Sequence, residues 1–192
     1  MKICFATHNE NKLREVRQIL GDQYEVVGLN DIGCLEEIPE DGLTLDENSK
    51  IKADFVANNY HISCFADDTG LEVDALNGEP GVYSARYAGD QKDNQDNIAL
   101  LLEKMEGKTN RKARFRTVIT LILEGAVHQF EGEVKGQIIA DLKGSEGFGY
   151  DPVFVPEGYE ETFAEMDAAL KNSISHRGRA VAALVAFLQA SN

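Results

Sequence analysis

The stretch that decides the fold is Ala66-Asp67-Asp68-Thr69-Gly70-Leu71. It lies between the apolar residues 62–65 and the alternating residues 71–76, which predict two short strands on either side of an acidic turn. Ligands of α/β sheets bind at the C-terminal ends of strands, where we expect Asp67 and Asp68 to lie. Because side chains alternate along a strand, we expect one carboxylate to face a site and the other to hold the turn. The alternative is an acidic structural turn without a ligand.

A strand, a polar turn and a helix are predicted at the start of the sequence. Residues 2–6 are predicted to form the strand, and residues 12–20 carry apolar side chains at helical spacing up to Gly21. The turn between them is Thr7-His8-Asn9-Glu10-Asn11-Lys12. Free N–H groups at the helix N-terminus and the ammonium group of Lys12 favour phosphate binding there. A helix that is capped by Asn or Thr without any ligand is the alternative.

A second helix is predicted over residues 45–58, after an acidic loop. Thr44 and Glu47 have the spacing of a capping box at its start. Asn48 and Lys52 lie one turn apart and therefore share one face of this helix. For these two residues, a solvated surface and a functional site are both open.

The middle of the sequence predicts a helix and a hairpin. Residues 94–105 have the apolar spacing of an amphipathic helix, and residues 114–123 and 125–140 read as the two strands of an antiparallel hairpin. We expect this hairpin to widen the sheet and to contribute to a second lobe. Before it, residues 80–89 form an irregular segment in which Arg86 has either a phosphate or a carboxylate as its partner.

Two later segments combine features that are typical of ligand sites. Residues 147–154 interleave glycines with aromatic side chains, which lets a flat ligand approach the backbone and the ring faces. A structural loop is the alternative. Lys171, His176 and Arg177 precede a terminal helix predicted over residues 179–188. The helix macrodipole disfavours cations at this end, so we expect negative or electron-rich groups nearby.

Composition and charge limit the classes of function. The 192 residues are 43% hydrophobic and 27% charged, as expected for one globular domain, and the net charge is −14. This charge argues against a nucleic-acid partner and against an anionic membrane surface, but a small phosphorylated ligand with a divalent cation remains compatible. Cys4, Cys34 and Cys64 show no zinc or redox spacing, which predicts reduced thiols in a cytoplasmic protein.

Together these motifs resemble the inosine/xanthosine triphosphate pyrophosphatases, the ITPase family. The matching segments occur in the family's order and cover nearly the whole chain: residues 7–12, 47–53, 66–71, 80–89, 147–154 and 175–177. The departures are His8 and Glu10 in the first turn, and the conservative Ser49 and Thr69. The resemblance implies an α/β fold in which an elongated mixed β-sheet is flanked by helices. It further implies a single domain over residues 1–192, with two lobes around a nucleotide cleft, and a homodimer.

The resemblance also implies a reaction and the residues that perform it. A purine nucleoside triphosphate (ITP, dITP or XTP) and water would give the monophosphate and pyrophosphate, with Mg²⁺ as cofactor. Asp68 would be the catalytic base and a metal ligand, and Glu40 a second metal ligand. The substrate-binding residues would be Thr7, His8, Asn9, Glu10, Asn11, Lys12, Lys52 and Thr69 at the phosphates, and Phe148, Gly149, Tyr150, Asp151, Lys171, His176 and Arg177 at the base.

Two alternatives to this function stay open from the residues alone. The first is a Maf-like nucleotide pyrophosphatase of other specificity, although residues 175–177 and the Phe148-Gly149-Tyr150-Asp151 loop speak against it. The second is a nucleotide-binding regulator without turnover. For the hydrolase, a carboxylate with an ordinary pKa near 4 is a weak base. We therefore expect the metal ion to contribute more to water activation than the basicity of Asp68 does.

Overall fold

The structure, a computed structural model, describes residues 2–190. Its strands are β1 (Lys2–Phe5), β2 (Glu25–Val27), β3 (Cys64–Val73), β4 (Lys112–Leu123), β5 (Ala126–Ile138) and β6 (Phe154–Pro156). Its α-helices are α1 (Glu10–Leu20), α2 (Leu45–Tyr60), α3 (Asn94–Lys104), α4 (Ala168–Ile174) and α5 (His176–Ala190). Within the described part of the chain, no helix is both long enough and apolar enough to span a membrane.

The strands form one mixed sheet in the order β2-β1-β3-β4-β5-β6. β1 pairs in parallel with both β2 and β3, whereas β5 and β6 are antiparallel. The turn Glu124-Gly125 joins β4 to its neighbour β5 as predicted, so these two strands are also antiparallel. The predicted α/β class, with a mixed sheet flanked by helices, is confirmed.

The prediction of a turn between two short strands at residues 66–71 is wrong. β3 runs without interruption from Cys64 to Val73, so Asp67 and Asp68 lie inside a strand. Adjacent aspartates have low strand propensity, and charged groups from elsewhere in the chain compensate for it, as described below. β6 and α4 were not predicted, and α5 begins at His176 instead of residue 179.

A side-chain cap begins α2 where the sequence predicted it. Thr44 Oγ1 accepts from the N–H of Glu47 over 3.1 Å at the start of α2. Glu47 in turn accepts from the N–H of Leu43 over 2.7 Å. The first bond satisfies a donor that a helix N-terminus leaves without an intrahelical partner, and the second holds the residue before the cap. The loop before α2 is therefore tied to the first turn of the helix.

The chain divides into two compact units. As far as the structure describes them, the first contains residues 2–68, 117–132 and 177–190, and the second contains residues 69–116 and 133–176. The boundaries fall inside strands β3, β4 and β5 and at the start of α5.

In the first unit, the alternation of β1 and β3 creates two cores. Phe5 and Phe65 are register partners and stack with their ring centroids 4.7 Å apart, in a cluster with α1 and α5 side chains. Cys4 and Cys64 are also register partners, but they point to the opposite face, into a cluster with α2. Because the alternation continues along β3, residue 67 belongs to the α1/α5 face and residue 68 to the α2 face.

The second unit has an aromatic core of its own. Phe115 of β4 meets Phe154 of β6 edge to face, with their ring centroids 4.7 Å apart. Phe163 packs against both rings. Leu71 and Val73 from the end of β3 lie in the same cluster, together with apolar side chains of α3. This core supports the glycine- and aromatic-rich loop that the sequence singled out.

Candidate active site

Asp67 is the centre of a buried ion-pair network in the first unit. It is 1% exposed and accepts from Lys12 Nζ over 2.9 Å and from Arg177 Nε over 3.2 Å. Arg177 also donates to the carboxylate of Glu15 on α1. Burial raises the pKa of Asp67, but the charges of Lys12, Arg177 and Lys52 outweigh burial and hold this pKa well below its ordinary value. Asp67 is thus ionised and paired with cations.

Asp68 occupies a different environment on the opposite face of β3. Its Oδ2 accepts from Asn48 Nδ2 over 3.1 Å, and its Oδ1 lies 3.9 Å from Lys52 Nζ. Burial raises the pKa of Asp68 above its ordinary value, and the positive charge of Lys52 reduces this rise without cancelling it. Of the two adjacent carboxylates, Asp68 is therefore the one that accepts a proton more readily.

Lys52 joins Asp68 to the loop before α2. Its ammonium group donates to Glu40 as well as facing Asp68, so two carboxylates lie around one cation. Burial raises the pKa of Glu40, but the charge and hydrogen bond of Lys52 outweigh burial and lower it. Asp68, Glu40 and Lys52 are here called the carboxylate cluster.

The carboxylate cluster fits the requirements of a Mg²⁺ site that is completed by a substrate. In residues 2–190, no group of three or more His, Cys, Asp or Glu side chains is arranged to hold a metal ion. Mg²⁺, however, usually takes one or two carboxylates and fills its other positions with water and phosphate oxygens. Asp68 and Glu40 supply hard oxygen donors that already meet around one positive charge.

In the turn of residues 7–12, side-chain oxygens accept hydrogen bonds from the backbone N–H groups of the same turn. Asn9 caps α1, because its Oδ1 accepts from the N–H groups of Asn11 and Lys12 over 3.0 and 3.2 Å. Thr7 Oγ1 accepts from the N–H of Asn9 over 3.1 Å. The sequence predicted that free N–H groups of this turn face an anion. These three groups are instead engaged within the turn, which is the geometry of an Asn cap.

The other side chains of this turn have different surroundings. His8 lies 2.9 Å from the carbonyl of Glu36 and 3.3 Å from Asn30 Oδ1. Asn11 Oδ1 accepts from Arg14 over 2.8 Å. Glu10 is the exposed first residue of α1. Of the residues predicted at the phosphate end, Lys12 and Lys52 thus bring cations to Asp67 and to the carboxylate cluster, respectively.

In the second unit, Asp151 and Lys171 form a buried ion pair beneath Phe148. Lys171 Nζ donates to Asp151 Oδ2 over 2.7 Å and lies 4.9 Å from the centroid of the Phe148 ring. Asp151 Oδ2 also accepts from the N–H of Phe148 over 2.9 Å. Gly147 permits this arrangement, because a Cβ atom there would lie 2.1 Å from Asp151 Oδ2. Phe148 is therefore held by the hydrogen bond of its backbone N–H to Asp151 and by the contact of Lys171 with the face of its half-buried ring.

The remaining residues predicted at the base lie in the core of the second unit or next to it. Tyr150 is buried, and its hydroxyl donates to the carbonyl of Ser84 over 2.7 Å. The ring of His176 stacks on Phe115, with centroids 4.7 Å apart. Gly149 is half-buried, and so is Thr69, which was predicted at the phosphate end instead.

Negative groups do lie near Lys171 of α4 and near Arg177, the second residue of α5, as the macrodipole argument predicted. Lys171 meets Asp151, and Arg177 meets Asp67 and Glu15. Arg177 is 1% exposed between these carboxylates, in the first unit. A direct contact of Arg177 with a purine base stays a prediction.

Sequence reasoning missed Glu15 and left the role of Asn48 open, although both residues organise these clusters. Glu15 has the appearance of an ordinary helical surface residue, and its partner Arg177 is distant in the chain, so no local signal marks it. Asn48 did carry a signal, because its spacing from Lys52 placed both on one helix face. The structure confirms this shared face, since both side chains reach Asp68.

Comparison with known proteins gives a consistent result over the whole chain. Residues 3–187 match the model of the Ham1 family. The chain is 51% identical over 191 residues to the dITP/XTP pyrophosphatase of Flavobacterium johnsoniae, covering 100% of both chains. It is 53% identical to the protein of the same name from Porphyromonas gingivalis, covering 97% of each. The Ham1 protein structure from Staphylococcus aureus superimposes with a TM-score of 0.90 at 38% identity, covering 100% of each chain.

Proposed function

The chain belongs to the Ham1 family, and we propose that it is a pyrophosphatase that acts on deaminated purine nucleoside triphosphates. Water and ITP, dITP or XTP would give the nucleoside monophosphate and pyrophosphate. The observation that carries this proposal is the full-length similarity to proteins named dITP/XTP pyrophosphatase. The role of such an enzyme is to remove deaminated purines from the nucleotide pool.

Asp68 is the residue that we assign as the general base. Attack on the α-phosphorus needs a water molecule whose proton is accepted as the new P–O bond forms and the bond to the pyrophosphate leaving group breaks. Burial raises the pKa of Asp68 whereas cations lower that of Asp67, so Asp68 is the better proton acceptor of the two adjacent aspartates. The low pKa of Asp67 and its two cationic partners suit a structural role instead.

Mg²⁺ is the proposed cofactor, and Asp68 and Glu40 are its proposed protein ligands. When bound, the ion would neutralise charge on the phosphate oxygens and lower the pKa of a coordinated water. Lys52 supports this assignment, because it already gathers both carboxylates around one positive charge.

Lys12 and Lys52 are the cations that we assign to the phosphate groups. Phosphoryl transfer relies mainly on positioning and on electrostatic stabilisation of the equatorial oxygens. Both lysines lie beside the adjacent carboxylates of β3, where the chemistry is proposed. Thr7, His8, Asn9 and Asn11 complete the proposed phosphate contacts through side-chain donors, since three N–H groups of this turn are engaged internally. The carboxylate of Glu10 would repel a phosphate, so its place at this end rests on the family resemblance alone.

The purine base is assigned to the ring of Phe148 in the second unit. Offset stacking on an aromatic ring is a favourable contact for a flat base. Lys171 and Asp151 hold the ring, and they provide polar groups for an edge of the base that carries oxygen at C6. An amino group at C6, as in adenine, would place donor against donor at Lys171. Each unpaired buried polar group costs about 1–3 kcal/mol.

The proposed assembly is a homodimer and the proposed location is the cytoplasm. The dimer rests on the family resemblance alone. The location is supported by the chemistry of the thiols, since Cys4, Cys34 and Cys64 are buried and free. Burial raises the pKa of both Cys4 and Cys64 to about 12, which keeps them as thiols at neutral pH.

The test of the proposed function is a product assay with several nucleotides. The purified chain is incubated with dITP, ITP, XTP, GTP or ATP, with Mg²⁺ or with EDTA, and the products are separated by ion-exchange chromatography. We expect monophosphate and pyrophosphate in equal amounts from dITP and XTP, only with Mg²⁺. We expect kcat/KM for ATP to be lower by about one to two orders of magnitude, from the cost of one mismatched polar group.

Other products would point to a different function. Orthophosphate and a nucleoside diphosphate would mean attack at the γ-phosphorus, and hydrolysis of ATP as fast as of dITP would contradict the proposed specificity. Tight binding of dITP without any product would indicate a regulator without turnover. Preference for a pyrimidine nucleotide would favour a Maf-like enzyme.

A further inference from the structure

Asn48 lies in the first two turns of α2 and is 1% exposed. Both ends of its amide are hydrogen-bonded. Nδ2 donates to Asp68 Oδ2 over 3.1 Å, and Oδ1 accepts from the backbone N–H of Gly42 over 2.8 Å. Burying an amide is costly unless such bonds are made. Asn48 therefore connects β3 with the loop that precedes α2.

The orientation of this amide follows from the chemistry of its partners. A backbone N–H can only donate, so the amide oxygen must face Gly42. The NH₂ group then faces the Asp68 carboxylate, which accepts. A carboxylate at position 48 would keep the bond from Gly42 but would place a second negative charge against Asp68. Asn48→Asp would thus remove the hydrogen bond to Asp68 while it keeps the hydrogen bond from Gly42.

Gly42 is close to Asn48 for a steric reason. A Cβ atom on Gly42 would lie 2.7 Å from Asn48 Oδ1 and 2.7 Å from the Cβ atom of Glu47. Only glycine lets the backbone come this near without displacing the helix. Because Gly42 follows Glu40 by two residues, its bond to Asn48 also restrains the segment that carries Glu40.

We propose that Asn48 is a positioning residue for the hydrolysis, an inference that rests on the proposed function. Its NH₂ group fixes the rotation of the Asp68 carboxylate, with Oδ2 toward the amide and Oδ1 toward Lys52. Its amide oxygen fixes the loop that carries Glu40. One side chain thereby sets the relative positions of the two carboxylates in the carboxylate cluster.

The donor bond is tested by steady-state kinetics with dITP and Mg²⁺. We expect Asn48→Ala to lower kcat about 10- to 100-fold while KM changes less than about threefold, because the substrate contacts are made by other residues. In an Asp68→Asn background, the same substitution is expected to lower kcat by a smaller factor, because the group that it orients is already neutral and only its bond to the loop of Glu40 remains to be lost. A purely structural role of Asn48 would lower kcat by the same factor in both backgrounds.

Ser49→Ala is the matched control. Ser49 is the next residue of α2 and is fully buried, but its hydroxyl bonds to Thr120 over 2.7 Å and to the carbonyl of Asp46. This variant also loses buried hydrogen bonds from the same helical turn. We expect it to keep the kcat of the parent protein.

The acceptor bond is tested without any turnover, by hydrogen exchange of the Gly42 amide measured with NMR. Asn48→Ala is expected to speed this exchange by at least about tenfold. Asn48→Asp retains an acceptor and is expected to keep the parent exchange rate, although its kcat falls as in Asn48→Ala. This second variant also serves if Asn48→Ala fails to fold.

The outcomes separate this inference from the proposed function. If the parent hydrolyses dITP and Asn48→Ala does so equally well, or if the double variant shows additive losses, the positioning role is overturned. If the parent releases no pyrophosphate at all, the proposed function fails instead. The positioning role is also overturned if the Gly42 amide exchanges equally fast in the parent and in Asn48→Ala.

Discussion

Replacing each of the two adjacent aspartates by asparagine should separate stability from turnover. Asp67 is 1% exposed between Lys12 and Arg177, so Asp67→Asn removes the negative charge that these two cations share, although Arg177 keeps its bond to Glu15. Removing one partner from a buried ion pair costs about 3–5 kcal/mol. At about 2–4 °C per kcal/mol for a chain of this size, the melting temperature should fall by about 6–20 °C. The fold should survive, because domains are stable by about 5–15 kcal/mol.

Asp68→Asn should lower turnover and leave stability nearly unchanged. The raised pKa of Asp68 means that the folded state disfavours its charged form, so a neutral amide of the same shape should leave the melting temperature within about 2 °C of the parent. The amide cannot accept a proton or neutralise a divalent cation. We therefore expect kcat for dITP at saturating Mg²⁺ to fall by about two to four orders of magnitude.

The assays are thermal unfolding by circular dichroism and pyrophosphate release under steady-state conditions. Asp31→Asn is the control for loss of an ion-paired carboxylate, because Asp31 pairs with Arg17 over 3.1 Å but both side chains are nearly half exposed. Exposed pairs contribute little, so this variant should match the parent in both assays. The reasoning is refuted if Asp68→Asn keeps near-parent turnover, or if Asp67→Asn melts at the parent temperature.

Three further predictions concern other parts of the molecule. Phe148→Ala should raise KM for dITP by about tenfold with a smaller change in kcat, because it removes stacking on the base in the ground state and the transition state alike. An unchanged KM would contradict the assignment of the base to Phe148. Cys4 and Cys64, whose pKa values burial raises to about 12, should resist iodoacetamide at pH 8 until the chain is unfolded, as mass spectrometry would show. Light scattering at micromolar concentration should give twice the chain mass of 21.2 kDa, whereas 21.2 kDa itself excludes the proposed dimer.

Local periodicity predicted much of the fold, because long elements repeat their apolar positions many times. α1, α2, α3 and the hairpin of β4 and β5 were predicted with ends that differ from the structure by about two residues. β6 and α4 contain three and seven residues, which is too short for a periodic pattern to stand out.

The error at β3 has a different cause. Asp-Asp-Thr-Gly has the composition of a turn, and sequence reasoning accordingly ended one strand before it and began another after it. The strand is continuous because Lys12, Lys52 and Arg177 lie against its two faces. These cations are distant from β3 in sequence, so no local pattern reveals them. For the same reason, the ion pair of Glu15 with Arg177 could not have been predicted.

The geometry of β3 also gives the two adjacent carboxylates different basicities. From composition alone, both would be carboxylates with an ordinary pKa of about 4, and each would be a weak base. Strand alternation, however, places Asp67 among cations that lower its pKa, and Asp68 in a buried setting that raises its pKa. The hydrogen-bond donor to Asp68 Oδ2 is the neutral amide of Asn48, which adds no positive charge. Asp67, in contrast, accepts from Lys12 and Arg177, and their positive charges lower its pKa strongly. Two identical neighbouring residues thus differ in basicity, and the residue proposed as the base is the more basic one. A larger contribution of the metal ion than of Asp68 to water activation stays a prediction.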